Sequence, residues 1–129
     1  MKPVVIKSTS DGRSLRFSDR SGDRYRVSLD GDEITATTTV WGYSDSDFLV
    51  QLFTYIAKNW KGWDGEKQWS SIESDLMLIA TSDNLGHITL EVSICKNHPD
   101  NDWSISAPVH LDAGGLDKIA SDVSAFFRG

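Results

Sequence analysis

The sequence has little cysteine and no long apolar segment. Cys95 is the single cysteine among 129 residues, so no disulfide can form within the chain. A structural zinc site needs about four ligands, and one thiol with the scattered His87, His98 and His110 does not supply such a set. No apolar run approaches the roughly 20 residues that a membrane helix needs, and charge returns at Lys7 before a signal-peptide core could form. We therefore expect a cytoplasmic protein that has no cofactor, binds no metal and does not enter a membrane.

Positive charge is scarcer than negative charge. The chain has 13 Lys and Arg residues and 19 Asp and Glu residues, which gives a net charge of −6. Because nucleic-acid binding depends on neutralising phosphates, this balance argues against a nucleic-acid partner. Five of the six arginines lie between Arg13 and Arg26, together with Asp19 and Asp23. We interpret that stretch as a solvated pair of strands with cross-strand ion pairs.

Alternating apolar and polar residues predict four strands in the N-terminal third of the chain. The turn dipeptides Asp11-Gly12 and Asp30-Gly31 separate neighbouring strands. In the fourth strand Ile34 is expected on the core face, and threonines occupy the opposite face. The predicted strands span residues 4–7, 14–18, 24–29 and 33–41.

Two helices are predicted where apolar residues recur every three or four positions instead of every second one. Over residues 47–60 apolar residues recur every three or four positions, which predicts an amphipathic helix with Trp60 at the end of its core face. Ser44, Asp45 and Ser46 are its candidate N-caps. A second apolar stripe predicts a helix over residues 115–127, with Asp112 as its N-cap.

Three more strands lie between the helices, at residues 76–81, 87–96 and 103–111, after a polar connection at 61–74. Leu90 and Ile105 are expected to point into the core. Because strands and helices do not alternate, the sequence predicts a single α+β domain over residues 1–129. Its expected architecture is an antiparallel sheet of six or seven strands, in the order four strands, helix, three strands, helix, with two helices packed on one face.

The segment after the first helix has three of the five tryptophans within ten residues. We expect Trp63 to be mostly buried and Trp69 to be the more exposed of the pair, because Trp69 lies farther along a polar segment. Tryptophan is enriched at binding hot spots. The candidate residues of a ligand or partner surface are Trp63, Asp64, Glu66, Trp69 and Glu73.

No set of residues with a recognisable catalytic spacing is present, and we assign no catalytic residue. Cys95 lies on the predicted outward face of a strand, without a helix N-terminus or glycine-rich turn that would activate its thiolate. The chain contains no G-x-S-x-G, P-loop or G-x-G-x-x-G motif.

The run from Phe53 to Trp69 contains a helix that ends in Trp60-Lys61-Gly62-Trp63-Asp64-Gly65, and it is followed by Trp69-Ser70-Ser71-Ile72-Glu73, Gly86-His87-Ile88-Thr89-Leu90 and Leu111-Asp112-Ala113-Gly114-Gly115-Leu116. These stretches resemble a small bacterial family of unknown function, which is marked by a helix ending in W-x-G-W-D-G. The overall plan is also similar to immunity proteins of bacterial polymorphic-toxin systems, which block a toxin by binding it. That resemblance implies a non-catalytic binding protein with a basic toxin as partner. The alternatives are a small-molecule or carbohydrate binder that uses Trp63 and Trp69, or an uncharacterised hydrolase.

Overall fold

The computed structural model describes residues 2–42, 46–96, 99–100 and 102–128. In these residues eight strands and two α-helices follow one another in the order four strands, helix, four strands, helix. The first half consists of β1 (Val4–Lys7), β2 (Ser14–Ser21), β3 (Arg24–Asp30), β4 (Thr35–Trp41) and α1 (Ser46–Lys58). The second half consists of β5 (Lys67–Ser70), β6 (Leu76–Ser82), β7 (His87–Lys96), β8 (Trp103–Asp112) and α2 (Leu116–Arg128), with a 3-10 turn at Ala113–Gly115 before α2.

The strands form two sheets. The first sheet has the order β1-β2-β3-β4 and the second the order β5-β6-β7-β8, and every neighbouring pair is antiparallel. The α+β class and the antiparallel pairing are thus confirmed, whereas the prediction of a single sheet of six or seven strands is wrong. The chain makes consecutive hairpins until α1 interrupts them, and β5 then starts a new sheet instead of extending the old one.

Each sheet buries one face in a core that the two sheets and the helices share. Alternation along β7 points Leu90 inward, where it is fully buried, and Val109 lies opposite it on β8. Ile105 lies on the same face but is only half-buried. The helices contact each other, α1 also contacts β5, and α2 contacts β1. Because the strands form two sheets, the helices do not share one sheet as predicted: α1 contacts the second sheet through β5, and α2 contacts the first through β1.

An aromatic cluster joins α2 to the first sheet. The Phe17 ring lies 5.5 Å from the Phe127 ring and 5.9 Å from the Tyr25 ring, both in edge-on geometry. The register of β2 against β3 shifts between Ser18 and Ser21, at a bulge where Asp19 has a φ of +51°. Bulges redirect side chains, and here Arg20 Nη1 donates to a carbonyl oxygen in the last turn of α2 over 2.7 Å. A cation at that end of a helix is stabilised by the helix dipole.

Three local expectations differ from the structure. Ile34 lies in the β3–β4 turn and is exposed, because β4 begins at Thr35. Trp60 lies beyond the end of α1 and is also exposed, so its predicted place in the core is wrong. Asp112 precedes the 3-10 turn but makes no capping hydrogen bond through its side chain. The candidate N-caps Ser44 and Asp45 lie outside the described residues.

Candidate functional site

The segment after α1 folds back onto the turn between β6 and β7. Gly62 has a φ of +119°, a left-handed conformation that glycine adopts without strain. Its N–H donates to the Asn59 carbonyl oxygen over 2.8 Å. A Cβ at Gly62 would lie 2.7 Å from the Cα of Asn84, so a larger residue would separate the two segments. Gly62, the first glycine of the W-x-G-W-D-G stretch, is therefore needed for its backbone to pack closely against the backbone at Asn84.

Trp63 is buried, with 8% of its surface exposed, as the sequence predicts. Its ring meets the Tyr55 ring edge-on at 5.7 Å, and Lys67 Nζ lies 4.8 Å from the centre of the same Tyr55 ring. The indole Nε1 is buried and has no hydrogen-bond partner among the described residues. Trp63 therefore fills a place in the core beside α1.

Trp69 is equally buried, with 7% of its surface exposed, so the expectation that it is the more exposed of the pair is wrong. The reason is that Lys67–Ser70 form strand β5, in which Trp69 points to the core face opposite Leu78. Of the five candidate residues, only the carboxylates are at the surface, namely Asp64, Glu66 and Glu73. Their assignment to a ligand or partner surface stays a prediction, and neither tryptophan ring is open to contribute to it.

The surroundings of Cys95 favour the protonated form of its thiol. Its Sγ donates to the Ser74 carbonyl oxygen over 2.9 Å. Burial, followed by the negative charge of Asp75, raises the pKa of this thiol. The pKa of Asp75 is itself raised, first by burial and then by the charge of Glu73. Because the thiolate is the nucleophilic form, this environment makes Cys95 less reactive than a free cysteine.

A cleft that the sequence does not predict as a site lies beside the β6–β7 turn. Trp60 has 48% of its surface exposed and Leu85 has 79%, and both line this cleft of about 550 Å³. Lys61 Nζ lies 5.3 Å from the centre of the Trp60 ring. His87 and Ala113 complete one side of the cleft. One signal for it was present in the sequence, since Leu85 is an apolar residue inside an otherwise polar turn.

Hydrogen bonds fix the turn that presents Leu85. The Asp83 carboxylate accepts the N–H of Leu85 over 2.8 Å and that of His87 over 3.2 Å, and its second oxygen lies 2.7 Å from Nδ1 of His87. Ala113 N–H donates to the Gly86 carbonyl oxygen and so attaches the turn to the segment before α2. The backbone that carries the exposed leucine is therefore held by hydrogen bonds within the chain.

The contact between Asp83 and His87 shifts both of their pKa values. The hydrogen bond from Leu85 N–H and that of His87 lower the pKa of Asp83 below 3.8, and the hydrogen bond to Asp83 raises the pKa of His87 above 6.5. While Asp83 is ionised, protonated His87 stabilises the fold, and this contribution is present below pH 6.5 and is lost as pH rises through the raised folded-state pKa of His87. Through Asp83, the contribution is present above pH 3.8 and is lost as pH falls through its lowered pKa.

We expect an NMR pH titration of His87 to have its midpoint above 6.5, and Asp83→Asn to move that midpoint down because the carboxylate is removed. Asp112→Asn is the matched control, since Asp112 acts on His87 only through a weaker charge interaction and should lower the midpoint less. An unchanged midpoint in the Asp83→Asn protein would show that the pair does not form in solution.

The protein is an α+β protein with two four-stranded antiparallel sheets, which share one core with two helices. In the chain, each sheet is followed by one helix. The sequence matches a family of unknown function, DUF6228, over residues 6–129, and this chain belongs to that family. No curated protein matches it. The solved structures include a similar chain in the crystal structures of trypanosoma bruciei MRP1/MRP2, with a TM-score of 0.51 and 14% identity. The match covers 99% of this chain and 85% of that one, and it shows a shared fold alone.

No helix in the described part of the chain is long and apolar enough to cross a membrane. Among the same residues, no group of three or more His, Cys, Asp or Glu side chains is placed to hold a metal ion.

Proposed function

We propose that this chain is a non-catalytic binding protein whose partner is another protein, and that Trp60 and Leu85 are the centre of its contact surface. The observation that carries this proposal is the exposure of a tryptophan and a leucine on one cleft. Covering such side chains removes apolar surface from water, and tryptophans in this position often dominate binding energy. The hydrogen-bonded turn at Asp83–His87 supports it, because a preorganised contact loses little conformational entropy on binding.

The partner that we propose is basic. A net charge of −6 speeds the encounter with a positively charged protein. We propose the toxin of a bacterial polymorphic-toxin pair as a partner of this kind, since the acidic composition and the lack of a recognisable catalytic motif suggest an immunity protein. A carbohydrate site on Trp63 and Trp69 has less support, because both rings lie in the core.

We expect Trp60→Ala to weaken binding to the proposed basic partner by about 2 kcal/mol, roughly a 30-fold increase in Kd. Leu85→Ala should also weaken binding to this partner. Isothermal titration with the purified partner measures both. The control is Ile72→Ala, which removes an exposed apolar side chain outside the cleft and should leave Kd unchanged.

The same variants separate binding from folding. The free energies of unfolding of the Trp60→Ala and Leu85→Ala proteins should match that of the wild type to within about 0.5 kcal/mol, as is usual for substitutions at exposed positions. A pull-down from cognate lysate that recovers no protein partner, with a gene neighbourhood that contains no toxin, would refute the proposal.

A further inference from the structure

Strand β8 is an edge strand of the second sheet, and the loop between β1 and β2 covers part of its outer side. Thr9 N–H donates to the His110 carbonyl oxygen over 2.9 Å, and His110 N–H donates to Ser8 Oγ over 3.0 Å. Arg13 Nε donates to the Pro108 carbonyl oxygen over 2.9 Å. Pro108 has no N–H to satisfy, which suits an edge position. The edge is therefore closed from Pro108 onward.

The preceding part of the same edge is open. Backbone groups alternate sides along an antiparallel strand, so Ser104 and Ser106 point their N–H and C=O groups away from β7, as His110 does. Within the described ranges, no backbone hydrogen bond from outside the β7–β8 ladder reaches either serine. A row of unpaired backbone groups is a template for another strand.

A cleft of about 340 Å³ lies beside this open edge. Ile105 and Ala107, from the core face of β8, line it on one side, and Leu29 and Ile34 line it from β3 and the β3–β4 turn. Ile105 is half-buried and Ile34 is exposed, so the cleft has apolar walls that the chain itself leaves uncovered. Side chains of a strand added to β8 would point alternately into this space.

The rim of the cleft is acidic. Arg13 lies on it but is paired with Asp11, at 2.7 Å between Nη2 and Oδ2. Asp32 and Glu33 also line the rim, and neither forms an ion pair within the part of the chain that the structure describes. The rim therefore offers two uncompensated negative charges to an incoming chain.

We propose that the open edge of β8 binds an extended, basic segment of a partner protein as an additional strand. Its backbone would bond to Ser104 and Ser106, its alternate apolar side chains would enter the cleft beside Ile105, and a Lys or Arg side chain would reach Asp32 and Glu33. A second copy of this chain fits less well, because it would bring two acidic rims together. The cleft beside the open edge of β8 shares no residue with the cleft of Trp60 and Leu85. This proposal therefore goes beyond the proposed function, and each of the two proposals can fail while the other holds.

The test uses the full chain, labelled with ¹⁵N, and a blocked synthetic peptide of sequence Lys-Thr-Val-Thr-Val-Thr-Lys, whose lysines and valines point to the same face of an extended strand. We expect the amide signals of Ser104 and Ser106 to shift and to exchange more slowly with solvent as the peptide is added. A peptide with Glu in place of both Lys residues should bind at least about tenfold more weakly. The double variant Asp32→Asn, Glu33→Gln should lose that discrimination, because it removes the rim charge.

Two further measurements test the backbone contact itself. A peptide methylated on the amides that would face β8 should bind at least about tenfold more weakly, since two hydrogen bonds are removed. Ser104→Pro, which removes one N–H from the edge, should weaken binding in the same way if its spectrum shows a folded protein. The proposal is overturned if about 1 mM peptide moves neither serine amide, if the shifts fall on Trp60 and Leu85 instead, or if those amides shift with protein concentration alone.

Discussion

Phe17→Ala should lower the free energy of unfolding by about 3 to 5 kcal/mol, because it would open a cavity between the first sheet and α2. Phe17 is fully buried, and its ring contacts the rings of Tyr25, Phe126 and Phe127. Aromatic pairs of this geometry contribute about 0.5 to 1.5 kcal/mol beyond the buried area. Chemical denaturation measures the loss.

The matched control is the same substitution on an exposed surface. Phe48 lies on α1 with most of its side chain exposed, so Phe48→Ala should change the free energy of unfolding by no more than about 0.5 kcal/mol. A loss below about 1 kcal/mol for Phe17→Ala would mean that the cluster does not join the sheet to α2, since core truncations of phenylalanine cost more.

Trp63→Ala should destabilise the protein by about 3 to 5 kcal/mol, whereas Trp60→Ala should cost less than about 0.5 kcal/mol. The two tryptophans are three positions apart, but one is packed beside Tyr55 and the other lies half in solvent. Denaturant unfolding of both variants measures the difference. Trp63→Phe should be milder than Trp63→Ala, because it keeps a ring and removes an indole N–H that has no partner in the described structure.

Equal losses in the Trp63→Ala and Trp60→Ala proteins would contradict the structure. They would instead support the helical stripe as the sequence predicts it, in which Trp60 ends the core face of α1. A small loss for both would place Trp63 at the surface and return it to the group of candidate ligand residues.

Period-two alternation predicts the inward faces of most strands but not the partners of those strands. In β7 the inward set Ile88, Leu90, Val92 and Ile94 is buried, as expected. Alternation does not show where one sheet ends and the next begins, because an edge strand and a central strand with one covered face have the same pattern. Strand β5 has a single buried residue, Trp69, in four positions, too short a signal to distinguish from a polar loop.

The candidate site was predictable only in part. The burial of Trp63 follows from the glycine that turns the chain back after α1, which is visible in the sequence. The exposure of Trp60 does not, because the stripe of α1 continues to residue 60 while the helix itself ends at Lys58. That Trp60 and Leu85 line one cleft depends on the approach of Gly62 to Asn84, a contact between distant segments that no local pattern indicates.

The most direct test of the proposed contact surface is the tryptophan indole region of the ¹H–¹⁵N spectrum during a titration with the purified basic partner. Trp→Phe variants assign the indole signals. We expect the Trp60 signal to shift, while the signals of Trp63 and Trp69 stay in place because both rings remain in the core. A shift of Trp63 or Trp69 with Trp60 unchanged would contradict the account and move the binding surface away from the cleft.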